Sequence, residues 1–361
     1  MNKVTELWVD RKNLRETKIF QLDQQPLEDG QIRVAIDKMG LTANNVSYAV
    51  SGEMIGYWKY FPAEGDWGKV PGWAMADVVE SKSEEIAEGE RLWGFFPMAS
   101  EVVLTPGKTA VDFFIDDTPH RRELPALYNL YRRTQGEPDF LKPLEDERCL
   151  LFPLFATSYV LYDYLTDNAF FGAGQVIIGS VSSKTGFGLA YLLSHDPEVA
   201  QKVVGLTSPG NVGFVEGLGC CDQVVTYGNE SEIDSSMRTG WVDMSGDGPL
   251  TDTLHHLLGE NMVESCIVGA THWESDRKRG KELPGVSPKF FFAPAQIAKR
   301  DAEWGQGILW EKASVRSAEI AKSISDQIQV ERVSSATDVA KIWREMLDNK
   351  VSPNRGIMIS I

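Results

Sequence analysis

The chain has 361 residues, enough for two domains, and its 42% hydrophobic and 24% charged residues are those of a globular protein. A net charge of −16 excludes nucleic acid and anionic membrane surfaces as partners, since their phosphates would repel it. No stretch has the length of a membrane span, and Met1–Asp10 lacks the apolar core of a signal peptide; the four cysteines (Cys149, Cys220, Cys221, Cys266) then read as free thiols of a cytoplasmic protein.

In chain order, the first ~150 residues read mainly as strands and turns. Ile32, Val34 and Ile36 alternate with polar residues over Gln31–Asp37, as a half-buried strand requires. Pro71-Gly72 marks a turn before a second run, Ala76–Glu80; Arg91–Phe96 and Glu101–Leu104 follow, closed by Pro106-Gly107. Many short strands at close spacing predict a β-barrel or sandwich. The charged, proline-punctuated stretch Pro119–Pro143 reads as a surface excursion.

After residue 150 the period changes. Pro153–Asp167 predicts a helix. Strands at Val176–Ile178, Val203–Leu206, Val224–Thr226, Trp241–Met244, Cys266–Val268 and Phe290–Phe292 then alternate with helical patterns, among them one after Gly186, Val212–Leu218 and Leu250–Leu258. That alternation predicts α/β architecture with a doubly wound parallel sheet. Ala336–Leu347 predicts a last helix, and the apolar end Gly356–Ile361 a strand returning to the first domain.

The stretch that says most about function is Val176–Ala190. An apolar strand ends at Gly179; Ser180–Thr185 is a small, polar, cationic turn; a helix starts at Gly186 and is stopped by His195-Asp196-Pro197. A strand, tight turn and helix start present backbone N–H groups and a positive dipole end to a phosphate. Gly179, Ser182, Ser183, Lys184, Thr185 and Gly186 are therefore candidate cofactor contacts. The glycines do not make G-x-G-x-x-G, and Ser183 and Ile178 stand where a P-loop needs glycine. The plain alternative is an ordinary strand-to-helix turn with a solvated lysine, in which Ser182, Ser183 or Thr185 caps the helix, Thr185 first among them.

Cofactor choice is read at the end of the second strand, where an acid would bind the ribose diol of NAD. Leu206–Asn211 carries no acid. Thr207, Ser208 and Asn211 are possible phosphate donors and Lys184 a source of charge, which favours NADP; the alternative is a turn capping the next helix. Tyr227 and Gly269 join the cofactor candidates. Thr271 and His272, in the loop after the Cys266 strand, lie where open α/β sheets bind ligands, although a lone loop histidine is commonly incidental.

A strand barrel, a dinucleotide-binding unit and a returning tail resemble the medium-chain dehydrogenase/reductase superfamily along nearly the whole chain. Leu27–Val34 resembles the opening of its GroES-like domain, Gly40-Leu41-Thr42-Ala43-Asn44-Asn45 its cleft-lining quinone-reductase segment, and Val70-Pro71-Gly72 with Val78-Val79-Glu80 its strand pair. Ala156-Thr157-Ser158-Tyr159 stands where its T-A-[YF] helix begins, Leu218–Asp222 resembles its L-G-A-D, and Arg355-Gly356 its closing G-K-[VI]-V strand. L-T-A-N-N with S-S-K-T is similar to a bacterial and fungal branch without an agreed reaction. The resemblance implies a GroES-like domain over residues 1–150, completed by about 325–361, and a Rossmann domain over 151–324.

It also implies an NADPH-dependent oxidoreductase of the quinone or enoyl reductase kind, acting on a small molecule and pairing as a homodimer. Its loop after the fifth Rossmann strand puts Gly269, Thr271 and His272 beside the nicotinamide, with Thr157 near. Gly72 is followed by Trp73-Ala74 rather than a G-H-E segment, no cysteine precedes Cys149, and the five histidines lack ligand spacing, so no catalytic zinc is expected. His255-His256 reads as a surface pair. Reduction needs a proton donor opposite the hydride. Tyr48 is the first candidate and Tyr57 the second, with Asn44 and Asn45 orienting a carbonyl; the alternative is an aromatic wall formed with Trp58, Tyr60 and Phe61, itself suited to an apolar or acyl-like substrate. A non-catalytic nucleotide-binding protein on the same fold is the competing reading. No G-x-S-x-G elbow supports a hydrolase.

Overall fold

In the computed structural model, which describes residues 3–269 and 283–361, the chain divides into two compact units: residues 1–150 with 328–361, and residues 151–327. The first unit opens with strands Lys3–Asp10 (β1), Thr17–Asp23 (β2) and Ile32–Leu41 (β3), then helices Ala43–Val50 (α1) and Gly52–Ile55 (α2). Strands Trp67–Gly68 (β4), Pro71–Ser81 (β5), Arg91–Pro97 (β6), Glu101–Leu104 (β7), Pro106–Thr109 (β8), Phe113–Asp116 (β9) and Leu130–Arg133 (β10) follow, then helix Glu145–Leu150 (α3).

The second unit runs from helix Phe152–Asp167 (α4) through strand Gln175–Gly179 (β11), helix Lys184–Ser194 (α5), strand Lys202–Thr207 (β12), helix Val212–Leu218 (α6) and strands Gln223–Thr226 (β13) and Thr239–Asp243 (β14). Helix Gly248–Leu258 (α7), strands Met262–Ile267 (β15) and Lys289–Phe290 (β16), and helices Ala293–Trp304 (α8) and Ile308–Ser323 (α9) complete it. The tail supplies strand Gln329–Val333 (β17), helix Ala336–Leu347 (α10) and strand Arg355–Ile359 (β18).

In the first unit the sheet order is β17-β18-β3-β5-β6-β10-β9-β8, with β7 also on β3, beside a smaller sheet β2-β1-β4. The returning strand is β18, antiparallel to β3 from Ile357↔Leu41 to Ile359↔Met39. Its Ile357, Met358 and Ile359 are buried, as the apolar ending requires. The hairpin β1–β2 and the helices α1 and α3 lie outside the sequence expectation of strands and turns from Gln31 onward. The stretch Pro119–Pro143 is corrected most: it contains β10, central in the sheet, and buries Arg121, Asn129 and Tyr131. Two of its charges are paired inside rather than solvated, Arg121 with Asp116 at 2.6 Å and Glu137 with Arg148 at 2.5 Å, while Arg122, Glu123 and Asp139 stay exposed.

The second unit is a parallel six-stranded sheet in the order β13-β12-β11-β14-β15-β16. β11 is buried along its whole length, and alternate residues feed two layers. Val176 and Ile178 pack with Leu161, Leu189 and Ala190 on the side of α4 and α5; Ile177 packs with Trp241, Leu250 and Leu254 on the side of α7. Helices α8 and α9 lie in a stretch where the sequence reading placed none; α8 is held to α4 by Arg300 with Asp163 at 2.7 Å. His255 is a second correction. It is fully buried, not on the surface: its Nδ1 lies 2.9 Å from Pro284 O and its Nε2 2.9 Å from Ser265 Oγ. Two polar partners satisfy the ring, which is what permits its burial.

Candidate functional site

Strand β11 reaches the carboxyl edge of the sheet at Gly179, where a Cβ would lie 2.3 Å from the Trp241 indole, so only glycine fits. Ser180 then turns the chain with φ of 52°, and its N–H donates to Tyr227 Oη at 2.9 Å. Burial pushes the Tyr227 phenol up to about 12, so it stays protonated. Val181 N–H returns to Leu206 O at 3.0 Å, tying the turn to β12.

Helix α5 starts at Lys184, two residues earlier than the sequence pattern places it. Of the three cap candidates it is Ser183, extended at φ −68°, whose Oγ accepts from Gly186 N–H at 3.1 Å, and not Thr185. Thr185 occupies the first turn, where N–H groups face out of the helix end. Gly186 sits under the turn: a Cβ would approach Ser180 O at 2.6 Å and Val181 Cα at 2.8 Å. Burial pushes the Lys184 ammonium down to about 8.

Thr207, fully buried at the end of β12, donates to Ser182 Oγ at 3.1 Å, and Asn211 Nδ2 donates to the same oxygen at 3.2 Å. Ser182, Thr207 and Asn211 therefore form one cluster linking the turn to the second strand. Ser208 lies beside it, half-buried. No acid stands at the end of β12.

Two residues that the sequence reading did not single out support this edge. Asp243, the last residue of β14 and the register partner of Gly179, is buried; its Oδ1 accepts from Ser245 N–H at 2.8 Å, Ser245 Oγ at 2.6 Å and Gly246 N–H at 2.9 Å. Burial raises its carboxyl, and those three donors oppose the rise. Its carbonyl accepts from Gly269 N–H at 3.2 Å, and a Cβ on Gly269 would lie 2.2 Å from Met244 O. An acid ending the apolar run Thr239–Val242, followed by Ser245-Gly246, was the available signal. The other is Ser158, which donates to Thr185 O at 2.8 Å and so fastens α4 to the start of α5. Its neighbour Thr157 returns its hydroxyl to Pro153 O at 3.1 Å. Thr271 and His272 lie outside the described residues.

The remaining candidates are in the first unit, around α1. Thr42 and Asn45 form a capping box: Asn45 Oδ1 accepts from Thr42 N–H at 2.7 Å, and its Nδ2 donates to Pro71 O at 2.9 Å. Both ends of that amide are held by main chain, which makes Asn45 a bracket between α1 and β5. Asn44, one residue earlier, is half-buried and donates through Nδ2 to Tyr48 Oη at 2.7 Å.

Trp73 Nε1 donates to the same oxygen at 3.2 Å. Tyr48 is buried against Tyr57 (ring centroids 4.6 Å apart), Phe95 and Tyr128. Burial drives its hydroxyl well above the ordinary phenol range, so it holds its proton at every physiological pH. Tyr57 faces Tyr128, hydroxyl to hydroxyl at 3.0 Å, and burial raises it too. Tyr48, Tyr57, Tyr60, Phe61, Trp73 and Phe95 thus form one aromatic cluster. Among the described residues, no group of three or more His, Cys, Asp or Glu side chains gathers to hold a metal ion, and no helix is long and apolar enough to cross a membrane.

The model of a family described as a protein of unknown function, DUF2855, matches residues 39–352. No curated protein matches the chain in sequence. Among solved structures, the chain is similar to the yhdH oxidoreductase from Salmonella enterica in complex with NADP (TM-score 0.56, 13% identity, 99% of each chain covered). It is similar to CurA from Vibrio vulnificus in complex with NADPH (TM-score 0.58, 9% identity, covering 99% of this chain and 98% of that one). It is also similar to the quinone oxidoreductase from Coxiella burnetii (TM-score 0.52, 14% identity, 99% of each chain). At such identities the likeness is one of fold, the GroES-like plus Rossmann architecture of medium-chain dehydrogenases/reductases.

Proposed function

The chain belongs to the DUF2855 family, and from that premise we propose that it is a zinc-independent, NADPH-dependent oxidoreductase that reduces an activated C=C, quinone or carbonyl group in a small apolar or acyl-like molecule. The observation that carries the reading is the turn Gly179–Gly186 at the carboxyl edge of the first strand of a sheet ordered β13-β12-β11-β14-β15-β16. Open parallel sheets bind dinucleotides at this point, where the strand order reverses. The similar fold of proteins solved with NADP or NADPH supports the same cofactor.

The residues fit such a ligand. Gly186 lets the turn pack directly on the start of α5, where a Cβ would clash with Ser180 O, α5 directs its first-turn amides and dipole out of the helix end, and Lys184 adds a cation that an anion would keep protonated. Ser182 and Asn211 face the second strand, where the absence of an acid leaves room for a 2′-phosphate. Bound nicotinamide would supply the hydride. In the first unit, Asn44 is the group suited to a substrate oxygen: one amide hydrogen is spent on Tyr48, and the other is directed elsewhere. Tyr48, kept neutral by burial, serves as a hydrogen-bond donor rather than an acid that ionises, so the proton that completes the reduction would come from water; Tyr57 extends the wall. A cytoplasmic homodimer is part of the same proposal.

The test is a titration of the whole chain with NADPH and with NADH, read by nicotinamide fluorescence, repeated with Lys184→Ala and followed by a panel of enones, quinones and aldehydes. NADPH should bind more tightly than NADH, should weaken about tenfold or more in the variant, and should be consumed with at least one acceptor. Binding of neither nucleotide would end the reading. Saturable binding without turnover of any acceptor would leave a nucleotide-binding protein in its place.

A further inference from the structure

The hydroxyl of Ser182 stands between the turn and the second strand with both of its acceptor positions in use. Thr207 Oγ1 donates to it at 3.1 Å and Asn211 Nδ2 at 3.2 Å. A hydroxyl carries one hydrogen and two lone pairs, so a hydroxyl that accepts twice can only donate. Ser182 is 6% exposed, and among the described residues its hydrogen has no acceptor. A buried O–H without a partner costs free energy, which an incoming oxygen would recover. Two of the donors that the sequence offered to phosphate already turn to Ser182: Thr207, which is fully buried, and Asn211, which gives it one of its two amide hydrogens.

From this arrangement, and resting on the nucleotide reading above, we propose that Ser182 is the residue that determines dinucleotide choice, acting as a donor-only hydroxyl toward the 2′-substituent of the adenosine ribose. A 2′-phosphate offers only acceptors and matches it. A ribose 2′-hydroxyl can meet it only as an acceptor and leaves its own hydrogen unplaced. Acidic side chains select NAD by the opposite polarity, as acceptor-only groups toward the diol. Thr207 and Asn211 set the polarity by filling the lone pairs, so they are positioning residues for this step.

The experiment measures the dissociation constants of NADPH and NADH for the full chain and for Ser182→Ala, Asn211→Ala and Ser182→Asp, by nicotinamide fluorescence, with competition by adenosine 2′,5′-bisphosphate as a probe of the adenosine half alone. Ser182→Ala should weaken NADPH and the bisphosphate about tenfold, the scale of one hydrogen bond to a charged group, and leave NADH within about twofold. Asn211→Ala frees a lone pair on Ser182 and should raise the affinity for NADH relative to NADPH. Ser182→Asp should reverse the preference. An unchanged NADPH-to-NADH ratio in both Ser182→Ala and Asn211→Ala, or an equal loss for both nucleotides, overturns the proposal while the nucleotide site stands. Failure of the unaltered chain to bind either nucleotide overturns both. Should Ser182→Ala not fold by thermal melting, the ratio in Asn211→Ala decides.

Discussion

At the scale of the residue, the two candidate regions use the same device: a buried hydroxyl loaded with donors. Tyr48 accepts from Asn44 and Trp73, and Ser182 from Thr207 and Asn211. The two cases separate in what removal of a side chain costs. Tyr48→Phe strips the acceptor from a buried indole N–H and should lower stability by about 1–3 kcal/mol, a drop visible in Tm, whatever it does to turnover. Asn44 is half-buried and its departure leaves Tyr48 with one donor still in place, so Asn44→Ala should fold almost as well as the parent. If its amide holds the substrate oxygen, kcat should fall about a hundredfold or more with little change in nucleotide affinity. An Asn44→Ala variant with unchanged kcat on the best acceptor would remove Asn44 from the site. Gly186 makes a third case, in which shape rather than polarity decides. A methyl there would press on Ser180 O at 2.6 Å and Val181 Cα at 2.8 Å, both main chain and unable to swing aside. Gly186→Ala should therefore distort the turn and weaken NADPH binding about tenfold or more, measured by the same fluorescence titration.

At the scale of the element, the helix α7 shows where a sequence stops being legible. Leu250, Leu254 and Leu258 carry an amphipathic period that any reading finds, and His255-His256 beside them looks like a polar edge. Which of two adjacent histidines turns inward depends on a partner that lies ten residues away on β15 and on another at Pro284, and neither is visible in local spacing. The stretch Pro119–Pro143 misleads for the same reason: Arg121 and Glu137 look solvated until Asp116 and Arg148 are found to meet them. Where the signal was local, as in Val176–Ile178 or Ala336–Leu347, strand and helix lie where the pattern put them. Burial lowers the His255 imidazole below its ordinary value of 6.5, against the pull of the Pro284 carbonyl. The folded state thus holds the neutral ring while the unfolded chain takes up a proton, so the stability due to this group is complete above pH 6.5 and drains away as pH falls from there through the folded value. Thermal melting of the parent should show that loss on acidification, and His255→Gln should melt lower at neutral pH but lose less between pH 6.5 and 5. An equal slope in both proteins would assign the acid sensitivity elsewhere.

At the scale of the whole molecule, the order of elements was the most legible feature, because strand–helix alternation leaves few topologies and because a parallel sheet needs right-handed crossovers. The apolar end Gly356–Ile361 already pointed back to the first unit; what spacing could not supply was which strands it would join. β18 lies between β17 and β3, so the strand that ends the chain is internal to a sheet begun near its start. α10 reinforces that closure: Trp343, fully buried, donates from Nε1 to Leu14 O at 2.7 Å, and Val339, Ile342 and Leu347 are buried with it. Residues 151–327 form their unit from one continuous stretch, whereas the other unit is assembled from both ends. Losses should then be unequal. A chain ended after Gln327 strips β3 of its neighbour Arg355–Ile359 and uncovers a row of main-chain donors and acceptors together with the core under Ile357 and Ile359. That truncation should abolish cooperative folding of the first unit and yield insoluble protein. The milder Trp343→Ala should cost about 3–5 kcal/mol, as deletion of a buried indole does. Amide hydrogen exchange on the Trp343→Ala protein is the discriminating measurement: exchange should quicken in β1, β3 and β18 while β11, β12 and β14 stay protected. Equal loss of protection in both sets would mean that the two units unfold as one, and that the tail stabilises the whole chain rather than the unit it completes.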